Sequence, residues 1–221
     1  MKIVKILDSS QINYVNNLIG EIEFHDGKKS AEGLAKKVKL NKQALAEGDK
    51  YEELMSYIND IFRKNLWLKQ RYLPKKFSQA VINKYEVGDC YGRHFDNSHI
   101  STGLGSIRRD WSFTLMLSSN SDYEGGELKI ETGSVTHEVK LDAGDLVIYP
   151  SSYIHSVLNI TKGKRLAYVG WIASHIKDQL GFETINAYED MHLALSKYNL
   201  SEEDELSLGY VQNKLQLLIS N

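Results

Sequence analysis

At 221 residues with 42% hydrophobic side chains, the chain can bury one sizeable core, which excludes a small scaffold dependent on cross-links. Its 27 basic and 29 acidic residues leave a formal net charge of −2, excluding a whole-chain field that would recruit nucleic acid or an anionic membrane. Cys90 is the only cysteine, so an intramolecular disulfide and any multi-cysteine metal site are excluded; with no signal-like run and no apolar stretch near the roughly 18 residues of a membrane span, a soluble cytoplasmic protein is expected.

Lys2 to Leu7 alternates polar and apolar residues as a half-buried strand does. Asp8-Ser9-Ser10 then supplies N-cap chemistry for a helix with apolar positions Ile12, Val15, Leu18, Ile19 and Ile22. From His25 to Lys50 the chain turns locally basic through Lys28, Lys29, Lys36, Lys37, Lys39 and Lys42. Two readings fit this stretch: a solvated connector, or a lid that receives an acidic or extended substrate. Tyr51 to Tyr72 is predicted as one helix, with Leu54, Tyr57, Ile58, Ile61, Phe62 and Leu66 on its apolar stripe and its end before Pro74.

From Phe77 the period changes. Runs rich in β-branched and aromatic residues predict strands over Phe77–Val87, Gly92–Asp96, Trp111–Ser118, Glu127–Glu131, Val135–Leu141, Asp145–Tyr149, Tyr153–Ile160 and Lys164–Ala173. Turn clusters such as Tyr123-Glu124-Gly125-Gly126 and Asp142-Ala143-Gly144-Asp145 separate them. Short strands at this spacing predict an α+β protein with an antiparallel sandwich or jelly-roll core rather than alternating β-α units. The tail from Asp178 is predicted helical, with Leu193, Leu195, Leu206, Leu208, Val211, Leu215 and Leu218 as packing residues that either buttress the sheet or form a dimer contact.

Within this frame one ordered constellation carries chemistry. In His94-Phe95-Asp96 strand alternation sends His94 and Asp96 to one side, and His155 follows on a later strand. Two imidazoles and one carboxylate leave open positions on a metal, as in non-haem Fe(II) oxygenases, although the same set also accepts Mn, Co, Ni or Zn. Arg165 narrows the choice. On the last strand it shares a face with Ala167, Val169 and Trp171, and a permanent charge lining an apolar interior requires an anionic partner. A small dicarboxylate meets both demands, its 2-oxo acid end on the metal and its distal carboxylate on the guanidinium, which points to 2-oxoglutarate.

The run from Tyr85 to Asn97 (YEVGDCYGRHFDN) resembles the tyrosine–glycine–HxD segment of the prolyl-hydroxylase-like Fe(II)/2-oxoglutarate dioxygenases. More closely, Tyr123–Leu128 (YEGGEL), Leu141–Ser152 (LDAGDLVIYPSS) and His155 resemble the bacterial PKHD-type (PiuC-like) hydroxylases, over about residues 24–178. The resemblance implies a double-stranded β-helix of about eight antiparallel strands, with residues 1–76 as a strand and helices packing on the barrel, 77–176 as the dioxygenase core and 177–221 as a helical extension. It implies His94, Asp96 and His155 as catalytic iron ligands and Arg165 as the 2-oxoglutarate anchor. Either Tyr85 or Thr114 completes the carboxylate site, because the stretch Ser112–Leu117 has no tyrosine where animal prolyl hydroxylases place one; Trp171 is carried over as a further cofactor-site residue. The implied reaction consumes O2 and decarboxylates 2-oxoglutarate to succinate and CO2 while a substrate is hydroxylated, and it admits L-ascorbate as an accessory.

The implied partner is a small-molecule or peptide or protein substrate, with a prolyl residue among the candidates. The glycine-containing loop Asn97–Asp110, carrying Arg108 and Arg109, is expected to flank the open metal position as a gate. Two other classes share parts of the pattern. A cupin-like sensor could bind metal and dicarboxylate without oxidation, and a zinc hydrolase would leave Arg165 without a role.

Overall fold

The computed structural model describes residues 1–78, 80–102 and 105–220. Two antiparallel sheets face each other. The larger runs in the order Lys2–Lys5, Asp145–Pro150, Trp111–Met116, Arg165–Ser174, Val81–Tyr85, Lys42–Ala44, Phe24–Asp26, with Pro74–Phe77 on the far end of the long Arg165–Ser174 strand. The smaller runs Val135–Val139, Leu128–Thr132, Ile154–Val157, Cys90–His94, Lys39–Leu40. Two ribbons complete the strands, Tyr123–Gly125 with Ile160–Gly163 and His99–Thr102 with Gly105–Arg108.

Strand parity explains where the core sits. In Trp111–Met116 every residue is buried, since one face meets helices and the other meets the opposing sheet. Phe113 and Leu115 belong to a core shared with the helices Ser9–Gly20, Asp49–Lys64 and Leu66–Tyr72. Met116 joins Tyr85, Val147, Tyr149 and Ala167 of the large sheet against Leu128, Ile130, Val139 and Val157 of the small one. The jelly-roll expectation is met, and the space between the sheets is the space in which a site can form.

Several expected elements are divided. The helix expected over Tyr51–Tyr72 breaks at Asn65, whose extended backbone ends Asp49–Lys64 and whose Oδ1 accepts from Leu68 N at 2.9 Å, capping Leu66–Tyr72. The strand expected over Tyr153–Ile160 becomes Ile154–Val157, which stays in the small sheet, and Ile160–Gly163, which pairs with Tyr123–Gly125 instead. Phe77–Val87 likewise divides into Pro74–Phe77 and Val81–Tyr85, and Gln79 between them lies outside the described residues. Part of the expected gate, Gly103 and Leu104, also lies outside the described residues.

The basic stretch is more than a solvated connector, although Lys29, Lys36, Lys37 and Lys42 are exposed. Lys39–Leu40 pairs with the small sheet and Lys42–Ala44 with the large one, so across Asn41 the chain steps from one sheet to the other. Of the two roles expected of the tail, buttressing the sheet is corrected: Leu193, Leu206, Val211 and Leu218 are exposed, and the helix Glu202–Ile219 buries no residue. That helix lies against Gln179–Leu195 at the edge of the molecule, so one narrow stripe is covered and the rest faces outward. Among the described residues no helix is long and apolar enough to cross a membrane.

Candidate metal centre

His94 closes the strand Cys90–His94 and is the cross-strand partner of His155 in Ile154–Val157, which brings the two ring centroids to 4.3 Å. Asp96 arrives by another route than alternation along one strand. The strand stops at His94, Phe95 turns outward with 61% exposure, and Asp96 sits in the following loop, its N–H donating to Ser151 O at 3.3 Å. One ligand atom from each of His94, Asp96 and His155 lies within 4.8 Å of the others.

The surroundings fit a cation. Nδ1 of His94 donates to Gly92 O at 2.8 Å and Nδ1 of His155 to Tyr153 O at 2.9 Å. A carbonyl only accepts, so in the neutral imidazoles the protons are on Nδ1 and both Nε2 lone pairs are free for a metal. Asp96 Oδ2 accepts from Ser112 Oγ at 2.6 Å and from Trp171 Nε1 at 2.9 Å. Burial first and the neighbouring His155 second push the His94 imidazole down to about 4, favouring the neutral form that ligates. Tyr91 stacks on His94 with centroids 3.6 Å apart and fixes the plane of its ring.

Arg165 begins the long strand and is 3% exposed. Among the described residues it has no carboxylate partner, and its Nε is buried without a hydrogen bond. Tyr85, its cross-strand partner, places a ring 5.3 Å from the guanidinium carbon. Tyr123 and Tyr149 also interact with the guanidinium, and Thr114 with the Tyr149 hydroxyl. Burial pushes the Tyr85 hydroxyl up to about 12, so it remains a neutral donor. Gly126 of the YEGGEL run lets the arginine lie here: its φ is +68°, and a Cβ would collide with Ile160 Cδ1 and come within 3.1 Å of Arg165 Cδ.

All seven residues singled out in the sequence meet at one cavity of about 450 Å³, lined by His94, Asp96, His155, Arg165, Thr114 and Trp171 together with Tyr85. Thr114 and Tyr85 both stand on its wall, Tyr85 over Arg165 and Thr114 beside the Tyr149 hydroxyl, and Trp171 donates to the carboxylate of Asp96. Sequence reasoning missed Ser112, Tyr123 and Tyr149. Ser112 was accessible through parity, two residues before Thr114 on one strand, whereas the tyrosines are recognisable only from their convergence on Arg165.

Known proteins are similar to this chain in sequence and in fold. The family model described as 2OG-Fe(II) oxygenase superfamily matches residues 80–173. A PKHD-type hydroxylase of Gloeothece citriformis is 39% identical over 173 residues, covering 78% of this chain and 77% of that protein. Among solved structures, a prolyl hydroxylase of Trichoplax adhaerens in complex with a hypoxia-inducible-factor peptide fragment aligns with a TM-score of 0.60 at 18% identity, covering 78% of this chain and 83% of that one. HygX of Streptomyces hygroscopicus, with nickel and 2-oxoglutarate bound, aligns with a TM-score of 0.55 at 10% identity over 78% and 82%. At such identities the structural matches speak to the fold alone.

Proposed function

Because this chain belongs to the PKHD-type hydroxylases of the 2OG-Fe(II) oxygenase superfamily, enzymes that use Fe(II) and 2-oxoglutarate, we propose that its cavity hydroxylates a peptide or small-molecule substrate. In this assignment His94, Asp96 and His155 hold the iron, and Arg165 takes the distal carboxylate of 2-oxoglutarate. The observation that carries it is the pairing of two histidines whose Nε2 atoms are left free with a buried arginine in the same cavity that, among the described residues, has no carboxylate partner.

When bound, the metal and co-substrate supply the oxidation: O2 is consumed, 2-oxoglutarate leaves as succinate and CO2, and one oxygen atom enters a substrate C–H bond. The chain's own residues bind and orient. Ser112 and Trp171 hold Oδ2 of Asp96 and so fix its carboxylate beside the two histidines. Arg165, with the hydroxyls of Thr114, Tyr85, Tyr123 and Tyr149 nearby, offers charge-assisted hydrogen bonds to a carboxylate in a setting with little competing water. The hairpin His99–Thr102 and Gly105–Arg108 carries Ile100 and Arg109 to the cavity wall, and we assign it the role of excluding water.

A prolyl residue of a peptide is our first candidate for the hydroxylated group, supported by the peptide bound to the Trichoplax neighbour. The test is succinate formation from 2-oxoglutarate under O2 with Fe(II), together with a search for +16 products in peptide and small-molecule libraries. Succinate that depends on His155 and Asp96 supports the assignment. Binding of metal and 2-oxoglutarate with no succinate in any condition would instead identify a sensor.

A further inference from the structure

Apart from the exposed Lys29 at its rim, two cations lining this cavity, one buried and one half-buried, have no task in the chemistry described above. Lys39 is 4% exposed, lines the cavity, and among the described residues makes no ion pair; its ammonium donates only to Ser30 Oγ at 3.0 Å and lies 5.3 Å from the centroid of the Tyr91 ring that stacks on His94. Arg109 lines the same cavity with its guanidinium carbon 3.8 Å from the Trp171 ring centroid, also without an ion pair, and with its Nε buried and unbonded. Tyr91 stacks on His94 and Trp171 donates to Asp96, so each cation stands one ring away from a candidate metal ligand. Glu32 lines the cavity as well, but it is exposed and pairs with neither.

Charge balance makes these residues informative. If the assignment above holds, the positive charges of divalent iron and Arg165 cancel the negative charges of Asp96 and the dicarboxylate. Lys39 and Arg109 are then in excess, and a buried ammonium without a counter-ion is costly enough that a stable fold would ordinarily replace it with an apolar residue. Beside them stand a donor and an acceptor without partners: Gln43 Nε2 and Asn83 Oδ1, on paired positions of neighbouring strands, both residues nearly fully buried and both lining the cavity. Unpaired amide atoms of this kind match an amide group of a ligand.

We propose, resting on that assignment, that the substrate is a carboxylate-bearing peptide or amino-acid derivative, its carboxylate met by Lys39 and Arg109 and its adjacent amide by Gln43 and Asn83. The carboxylate is either a free chain terminus or an acidic side chain beside the reacting residue. Lys39 and Arg109 are thus specificity residues, distinct from the Arg165 anchor.

The test is a selection on the full chain loaded with Mn(II) and 2-oxoglutarate, which holds the site without turnover. A randomised N-acetylated tetrapeptide mixture, half with free C-terminal carboxylates and half amidated, is retained on the protein and read by mass spectrometry. Acids are expected to be enriched about 10-fold or more over the matched amides, or Asp and Glu over Asn and Gln, and the two arms tell terminus from side chain. Lys39→Met and Arg109→Gln each lose the enrichment and Lys39→Arg keeps it, while calorimetric affinity for 2-oxoglutarate stays as in the unmodified protein. Acids and amides retained alike, or neither retained, overturn the proposal, as does a Lys39→Met protein whose defect is in 2-oxoglutarate affinity. Failure of the unmodified protein to bind 2-oxoglutarate would be a different result, striking the underlying assignment.

Discussion

Trp171 Nε1 reaches Asp96 Oδ2 at 2.9 Å from the large sheet, while Asp96 itself sits in the loop that leaves the small one. The carboxylate is therefore placed by a sheet to which it does not belong. Trp171→Phe keeps the ring and removes the donor, leaving Ser112 as the side-chain partner. Metal affinity is expected to fall about 10-fold or more, within the range usual for loss of a group that orients a ligand. A Mn(II) titration of the purified variant checks this; unchanged affinity would assign Trp171 to packing with Arg109.

Arg165→Gln separates co-substrate binding from metal binding. A charge-assisted carboxylate contact contributes about 1.5–3 kcal/mol, so 2-oxoglutarate affinity should weaken about 10- to 100-fold. Mn(II) affinity should be unaffected, because Arg165 touches none of the three candidate ligands. Calorimetry with Mn(II) present measures both. A loss of metal affinity equal to the loss of 2-oxoglutarate affinity would show that the two sites are not independent.

Lys39 carries a stability prediction with a defined pH window. Burial lowers its ammonium from the ordinary 10.5 to about 8, against smaller opposing effects from Asp96 and Asp26. Between those values the unfolded chain holds a proton that the folded protein has released, so this residue makes stability rise with pH across the window; below about 8 its full cost is present. Lys39→Met should therefore stabilise the protein at pH 7 by about 2–3 kcal/mol and remove the rise. Urea melts at pH 7 and above 10 test it, and equal stability of the two proteins at pH 7 would mean that the ammonium is not desolvated in the fold.

His94 works in the same direction at acid pH. Its depressed imidazole leaves the metal-free folded protein with fewer protons than the unfolded chain between about 4 and 6.5. Stability is complete above that window and falls as pH drops through it, by at most about 1.4 kcal/mol per pH unit. His94→Gln should flatten this part of the profile in thermal melts of metal-free protein, and an unaltered slope would place the titrating group elsewhere.

Much of the site was legible because residue type and order restrict it. A His-x-Asp, a later His and a following Arg have few joint uses, and β-rich composition with glycine turns points to a barrel that would bring them together. What the pattern left out is instructive. Lys39 is one lysine of a basic run, chemically like Lys36 or Lys42, and nothing in composition separates it from them. Pairing does: once Lys39–Leu40 joins one sheet and Lys42–Ala44 the other, Lys39, Asn41 and Gln43 turn inward while Leu40 and Lys42 face out. The leucines of Glu202–Ile219 show the converse, an apolar pattern that looked like packing and lies mostly exposed, because among the described residues the helix packs mainly on Gln179–Leu195.

By itself, then, the sequence determined which chemistry is available: two imidazoles, a carboxylate and a permanent cation, on strands that close into a jelly roll. Only the tertiary structure decided which further groups attend them, Trp171 and Ser112 on Asp96, three tyrosines around Arg165, and Lys39 and Arg109 without an ion pair among the described residues. The physical reason is that the identity of a side chain limits the bonds it can make, whereas its partners depend on strand register and on which face of each sheet is turned to the cavity.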